Sequence, residues 1–176
     1  MLEPRFGMAK CALVVAALIG SMLSLEGLAQ QGAGNLKQRM TGSWTLVSAI
    51  FEQSGGTRDI YGPGPRGFAT FDSNGRFALI LLRSSLPRIS SNNREAPTPD
   101  ESKSIATGAL AYYGRYTVGD NDAIVTFHIE ASTFPNWEGT LQTRSVDKLT
   151  DDEFINTNPQ VGAGRGSAYN LYKRAR

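Results

Sequence analysis

Thiols are all but missing from this chain: Cys11 is its one cysteine, and His128 is its one histidine. A single cysteine excludes a disulfide framework within the chain. One thiol and one imidazole are too few for the usual zinc site of three or four nitrogen and sulfur ligands. No metal and no other cofactor is expected. A histidine relay needs a second histidine, and no Gly-x-Ser-x-Gly nucleophile elbow is present. Excess charge of either sign is also lacking, with a formal net charge of +2. The bases are scattered (Arg76, Arg83, Arg88, Arg94, Lys103, Arg115, Arg144, Arg165). No basic run interleaves with aromatics, which argues against a nucleic-acid partner. The one long apolar run, residues 11–25, CALVVAALIGSMLSL, is short of the roughly 20 residues that cross a bilayer.

What is present begins with an export pattern. Arg5 and Lys10 precede the apolar run, and Gly27-Leu28-Ala29 follows it with small residues at the first and third positions. A charged start, an apolar middle and a small-residue cleavage site define a secretory signal peptide. Residues 1–29 are read as that signal, with cleavage after Ala29, no stable membrane span afterwards, and a periplasmic or secreted product. The alternative is an uncleaved N-terminal anchor. Cys11 opens the apolar stretch instead of standing at the cleavage site, so lipid attachment is rejected. Residues 30–41 are polar and glycine-rich and read as a flexible tether; residues 42–176 form one domain, large enough to bury a core without disulfides.

That domain reads as strands. Residues 42–52, GSWTLVSAIFE, are apolar on both alternating faces and suggest a strand covered on both sides. Residues 53–58, QSGGTR, read as a turn on a Gly-Gly pair. The glycine- and proline-rich residues 61–67 precede another strand, so they are a connection and no phosphate cradle, which needs a helix after it. FATFD and RFALILL flank Ser73-Asn74-Gly75, a strong hairpin signal because Asn and Gly tolerate positive φ. Residues 83–97 form the longest stretch without periodicity, and long loops in compact domains tend to be functional or mobile. Thr98-Pro-Asp-Glu101 is a capping box with proline at the first helical position, predicting a short helix that ends near Gly108. Further strands are predicted at residues 110–118, 123–131, 139–146, 153–157 and 167–173. Short strands at this spacing, joined by tight turns, predict an all-β, eight- to nine-stranded antiparallel up-and-down barrel with one short mid-chain helix.

Several motifs resemble the bacterial and fungal lipocalin-like domain family, a branch of the calycin barrels. They are Gly42-Ser-Trp44; Gly67-Phe-Ala-Thr-Phe71 with Gly75-Arg-Phe77; Ala111-Tyr-Tyr-Gly114-Arg-Tyr-Thr117; Phe127-His128 through Pro135-Asn-Trp-Glu-Gly139 to Arg144; and Leu171-Tyr-Lys-Arg174. Their order covers nearly all of the chain after the signal. The resemblance implies a barrel whose tryptophan, Trp44, packs at the closed end under a basic side chain of the last strand. That would be Arg174, or Lys173 if the register slips by one. A guanidinium over an indole is favourable because the ring face attracts cations. One departure is plain: typical lipocalins carry a long helix after the strands, and this chain places a short one among them.

The residues able to do chemistry are His128, Glu130, Arg144, Gln142, Tyr112, Tyr113 and Tyr116. Alternation puts Thr126, His128 and Glu130 on one face of their strand and Val125, Phe127 and Ile129 on the other. Thr140, Gln142 and Arg144 share a face of the next strand. Two readings stay open: a pocket lined by His128, Glu130 and Arg144, or an apolar face inward with the polar trio in water. General burial tendencies favour the second. Tyr112 and Tyr116 share one face and Tyr113 lies on the other.

Three functions follow. The leading one is an exported barrel that binds a small, largely apolar or amphiphilic molecule, with His128, Arg144, Gln142, Tyr113 and Tyr116 as candidate contacts and residues 83–97 together with the short helix gating the mouth. The second is a barrel enzyme of isomerase, cyclase or dehydratase type. In it His128 serves as acid or base, with Glu130 or Tyr113 as partner and Arg144 holding a carboxylate. The third is a filled barrel acting as a ligand-free interaction protein of the cell envelope.

Overall fold

In the computed structural model of the chain, residues 36–119, 123–161 and 164–176 are described. The expected signal peptide lies outside them. Nine strands form one antiparallel sheet: β1 (Gly42–Gln53), β2 (Gly56–Asp59), β3 (Arg66–Phe71), β4 (Arg76–Leu82), β5 (Ala109–Val118), β6 (Ile124–Ser132), β7 (Leu141–Leu149), β8 (Glu153–Val161) and β9 (Gly166–Arg174). Neighbours pair in the order β2-β1-β3-β4-β5-β6-β7-β8-β9, and β1 also pairs with β9. That last pairing closes eight strands into a barrel and leaves no open edge among them. β2 is the extra strand. It follows a tight turn from β1, with Gln53 opposite Gly56, and all four of its residues are exposed. Its sequence, GTRD, has no apolar alternation, so residues 53–58 read as a turn.

β1 shows why both of its faces look apolar in the sequence. Trp44 and Leu46 are buried, and so are Ala49 and Phe51, which strict alternation would place on the opposite face. The register against β9 jumps from Leu46–Tyr172 to Ser48–Leu171. Val47 is the extra residue, and a bulge of one residue exchanges the two faces. The strand is therefore half-buried along its whole length, and the reading of a strand covered on both sides is corrected. A second register shift falls between Tyr113 and Gly114. A Cβ on Gly114 would stand 1.9 Å from the His128 carbonyl oxygen, so no larger residue fits there without moving β6.

The turn between β3 and β4 uses its glycine and not its asparagine. Gly75 has a φ of 84°, whereas Asn92 is the only non-glycine with positive φ among the described residues. The Asp72 amide donates to the Arg76 carbonyl and the Gly75 amide to the Asp72 carbonyl, which makes a longer connection than a two-residue turn.

One end of the barrel is sealed. Residues 36–40, within the stretch read as a tether, are helical and bury Leu36 and Met40 in the core. The Trp44 indole donates to the Met40 carbonyl at 2.8 Å. The Arg174 guanidinium lies 4.1 Å from the centre of the Trp44 ring, and Trp44 pairs in register with Arg174 and not with Lys173. Arg174 also donates to the carbonyls of Arg39, Thr41 and Asp151. Gly42 has a φ of 120°, and a Cβ on it would stand 3.1 Å from Arg174 Nη1.

At the other end the connections are longer. The helix α1 (Pro99–Gly108) starts with the predicted capping box: the Thr98 hydroxyl accepts from the Glu101 amide, and Glu101 accepts from the Thr98 amide. Glu101 also accepts from the amide of Ser90, tying the 83–98 loop to the helix. These two backbone amides hold the Glu101 carboxyl below its ordinary pKa.

Candidate functional site

The burial of β6 decides which face looks inward. Val125, Phe127 and Ile129 are buried and His128 and Glu130 are exposed. Glu130 sits on the outer surface between two bases, 2.7 Å from Arg76 and 3.5 Å from Arg115. His128 lies opposite Arg115 on one side and Leu141 on the other.

Arg144 goes the other way. It pairs in register with Val125, and Gln142 pairs with Phe127. Both side chains therefore share the inward face of those residues, and Arg144 is only 4% exposed. The trio of His128, Glu130 and Arg144 is thus split by the barrel wall. The arrangement of His128 as acid or base beside Arg144 is not formed. Tyr113 stands outside and is 46% exposed. Tyr116 is buried, but its hydroxyl donates to the Asp72 carbonyl at 2.9 Å, and it takes no part in lining the chamber described next.

Inside the barrel is a chamber of about 210 Å³ that opens at the unsealed end. One wall is apolar and aromatic, from Phe71, Leu79, Leu81 and Phe127 on β3, β4 and β6. The opposite wall, on β7, β8 and β9, carries Arg144, Asn156, Asn158 and Asn170. The Asn170 amide donates to Asn156 Oδ1 at 3.2 Å. The rim comes from Ile60, Tyr61, Trp137 and Val161. The 83–97 loop contributes nothing to this lining. It forms a separate open groove with Ile105 of α1. Trp137 is held in a 3₁₀ turn (Pro135–Trp137) and meets Tyr112 edge to face, with ring centres 5.3 Å apart. A side pocket of about 270 Å³ adjoins the chamber, and the two share Trp137, Arg144 and Asn158.

Electrostatics single out Arg144. Its Nη1 donates to the Thr143 carbonyl at 2.8 Å, and its Nη2 donates to Gln142 Oε1 at 2.6 Å. Its guanidinium lies 5.8 Å from the centre of the Phe127 ring. Among the described residues no carboxylate pairs with it; the ion pairs there are Arg76–Glu130, Arg115–Glu130, Lys148–Glu153 and Arg176–Asp152. The surrounding phenols do not supply the missing negative charge. Burial pushes the Tyr112 hydroxyl above its ordinary pKa, although the Arg144 charge pulls it down. Burial pushes Tyr61 and Tyr172 up as well, and Tyr172 far up.

Of the residues singled out in the sequence, Arg144 lines the chamber and Gln142 the side pocket; Asn156, Asn158, Asn170, Tyr61 and Trp137 also line the chamber and were not singled out as lining. A signal for two of them was available. Phe154, Asn156 and Asn158 share parity, so the buried face of β8 turns from apolar to polar along its length. Reading the strand as ending at Thr157 hid that change. Tyr61 and Trp137 come from connections, where alternation gives no guide. Among the described residues no group of three or more His, Cys, Asp or Glu side chains converges on a possible metal site, and no helix is long and apolar enough to cross a membrane.

A family model for the lipocalin-like domain matches residues 41–170. Among solved structures, a lipocalin-like protein from Bacteroides uniformis aligns with a TM-score of 0.43 and 13% identity, over 78% of this chain and 99% of that one. No curated protein matches the sequence.

Proposed function

Since this chain belongs to the lipocalin-like domain family, we propose that it binds a small, largely apolar molecule inside its barrel, admitted at the unsealed end. The fold supports a small-ligand role, and the observation that carries the finer reading is the chamber. It is enclosed by the sheet, walled on one side by Phe71, Leu79, Leu81 and Phe127, and rimmed by Tyr61 and Trp137. Ligand sites are typically concave and mostly apolar, with a few converging polar groups, and this interior has that composition. Its volume, about 210 Å³, suits a molecule smaller than most drugs.

Displacement of an environment-sensitive neutral dye by medium-chain alcohols, alongside native mass spectrometry of the full chain, tests this reading. Saturable displacement is expected, with one ligand per chain. A protein that takes up neither dye nor alcohol, and carries no added mass, is incompatible with it.

We also propose that the protein is exported. The support is the N-terminal pattern alone: Arg5 and Lys10, the apolar residues 11–25, and Gly27-Leu28-Ala29. N-terminal sequencing of the protein recovered from outside the cytoplasm should begin at Gln30. A start at Met1 or Leu2 sinks the proposal.

A further inference from the structure

Among the described residues, no carboxylate meets Arg144, a cation placed inside the barrel. A guanidinium does not lose its proton in proteins, so it cannot escape burial by neutralising as a lysine can. Leaving a charge buried and unpaired is strongly unfavourable. Here its N–H groups meet the Thr143 carbonyl, the Gln142 amide oxygen and the Tyr112 hydroxyl, none of them charged. A guanidinium has five. It stands where the chamber and the side pocket meet, with the Asn156–Asn170 pair on the same wall and the apolar wall of Phe71, Leu79, Leu81 and Phe127 opposite. The interior is therefore amphiphilic, with one positive point and one apolar wall.

We infer that the ligand is a monoanionic amphiphile, a medium-chain or aryl carboxylic acid, whose carboxylate is held by Arg144 and whose apolar body lies along Phe71, Leu79, Leu81 and Phe127. This rests on the proposed small-ligand role and names the chemical class of its ligand. One buried cation calls for one negative charge. The planar fork of a guanidinium fits a carboxylate with two parallel hydrogen bonds. Gln142 is a positioning residue in this arrangement: its side-chain oxygen, 2.6 Å from Nη2, fixes one arm of the fork.

The test uses the full chain and matched probes: octanoate against octanol, and decanoate against decanol, titrated near neutral pH by calorimetry or by quenching of tryptophan fluorescence. In the unmodified protein the acid should bind about tenfold or more tightly than the alcohol of the same length. In Arg144→Met that ratio should fall toward one, and Arg144→Lys should keep part of it, since lysine retains the charge but not the fork. Equal affinity for acid and alcohol in the unmodified protein overturns the assignment and leaves the apolar-ligand reading standing. Binding of neither overturns both. Because the decisive comparison is made on the unmodified chain, a poorly folding variant cannot obscure it.

Discussion

Two arginines reach aromatic surroundings at opposite ends of this barrel, and their partners differ. Arg174, at the sealed end, lies 4.1 Å over the Trp44 ring and donates to three backbone carbonyls, those of Arg39, Thr41 and Asp151. Its hydrogen bonds stitch β9 to the segment before β1 and to the β7–β8 connection. Arg144, at the unsealed end, has one backbone carbonyl, one amide oxygen and the Tyr112 hydroxyl, and it lines a cavity. Arg174 meets backbone carbonyls and an indole and acts as a fastener; Arg144 lines open space and is the cation proposed above to hold a ligand. Hydrogen-bonded charge at the sealed end is expected to add stability, and a buried charge without a counter-ion to cost it.

The largest expected effect tests the sealed end. Trp44→Ala removes a fully buried indole, its bond to the Met40 carbonyl and its contact with Phe154 at 5.6 Å. A loss of about 3–5 kcal/mol is expected in urea unfolding. A loss below about 1 kcal/mol would mean that the plug formed by residues 36–40 contributes little.

Next come the two arginines, compared directly. Arg174→Met should destabilise by about 2 kcal/mol, through lost charge-assisted bonds and the cation–ring contact. Arg144→Met, without ligand, should be neutral or stabilising by about 1 kcal/mol, because it removes an unpaired buried charge and keeps an apolar stem. Equal destabilisation by the two would erase the distinction and make Arg144 a second fastener.

An alkaline titration probes the interior between the two arginines by a different means. Tyr61, Tyr112 and Tyr172 line the chamber, and burial holds each of their hydroxyls above its ordinary pKa. The folded state then keeps its phenolic protons where the unfolded state has lost them. Their contribution is fully present below about pH 10 and disappears as the pH climbs beyond it. Thermal melts should be flat through neutral pH and fall above that point, and in a variant carrying Tyr113→Phe and Tyr169→Phe, which removes the two exposed phenols, phenolate absorbance should appear together with unfolding. Phenolate forming in the intact fold of that variant would contradict the burial of the remaining groups.

The smallest effect concerns the outer wall. His128→Ala should change stability by less than about 0.5 kcal/mol and leave the binding of acids and alcohols as it was. A large loss of binding would mean that the outer face takes part after all.

Much of the barrel is legible in the sequence. Alternation, the turn residues and the capping box place the helix and all the strands but β2. The interior is legible only in part, for reasons that particular residues make clear. Alternation establishes that His128 and Glu130 lie opposite Phe127, but not which face is inside. The register between β6 and β7, which sets Arg144 opposite Val125 and Leu141 opposite His128, is a tertiary quantity, and a one-residue change in it would have assembled the expected trio. The bulge at Val47 leaves no local mark, since valine is at home in any strand. Residues 36–40 look like a tether because their burial depends on Trp44 and the barrel end, which lie outside that segment.

The irregularity at Val47 acts as a half-period phase shift in the wave of side chains along β1. Trp44 and Leu46 keep one phase and Ala49 and Phe51 keep the other, so each half of the strand is locked to a different end of the molecule. Deleting Val47 would remove the bulge and leave one regular strand in which Trp44, Leu46, Ala49 and Phe51 all face the interior, whereas a ladder that paired Val47 and closed the bulge would present Ser48 and Ile50 in place of Ala49 and Phe51. A single codon lost at this point thus keeps both the interior set and the register of the sealed end. The downstream lining of this barrel is set by one residue left out of the ladder, while its foundation is set upstream of it.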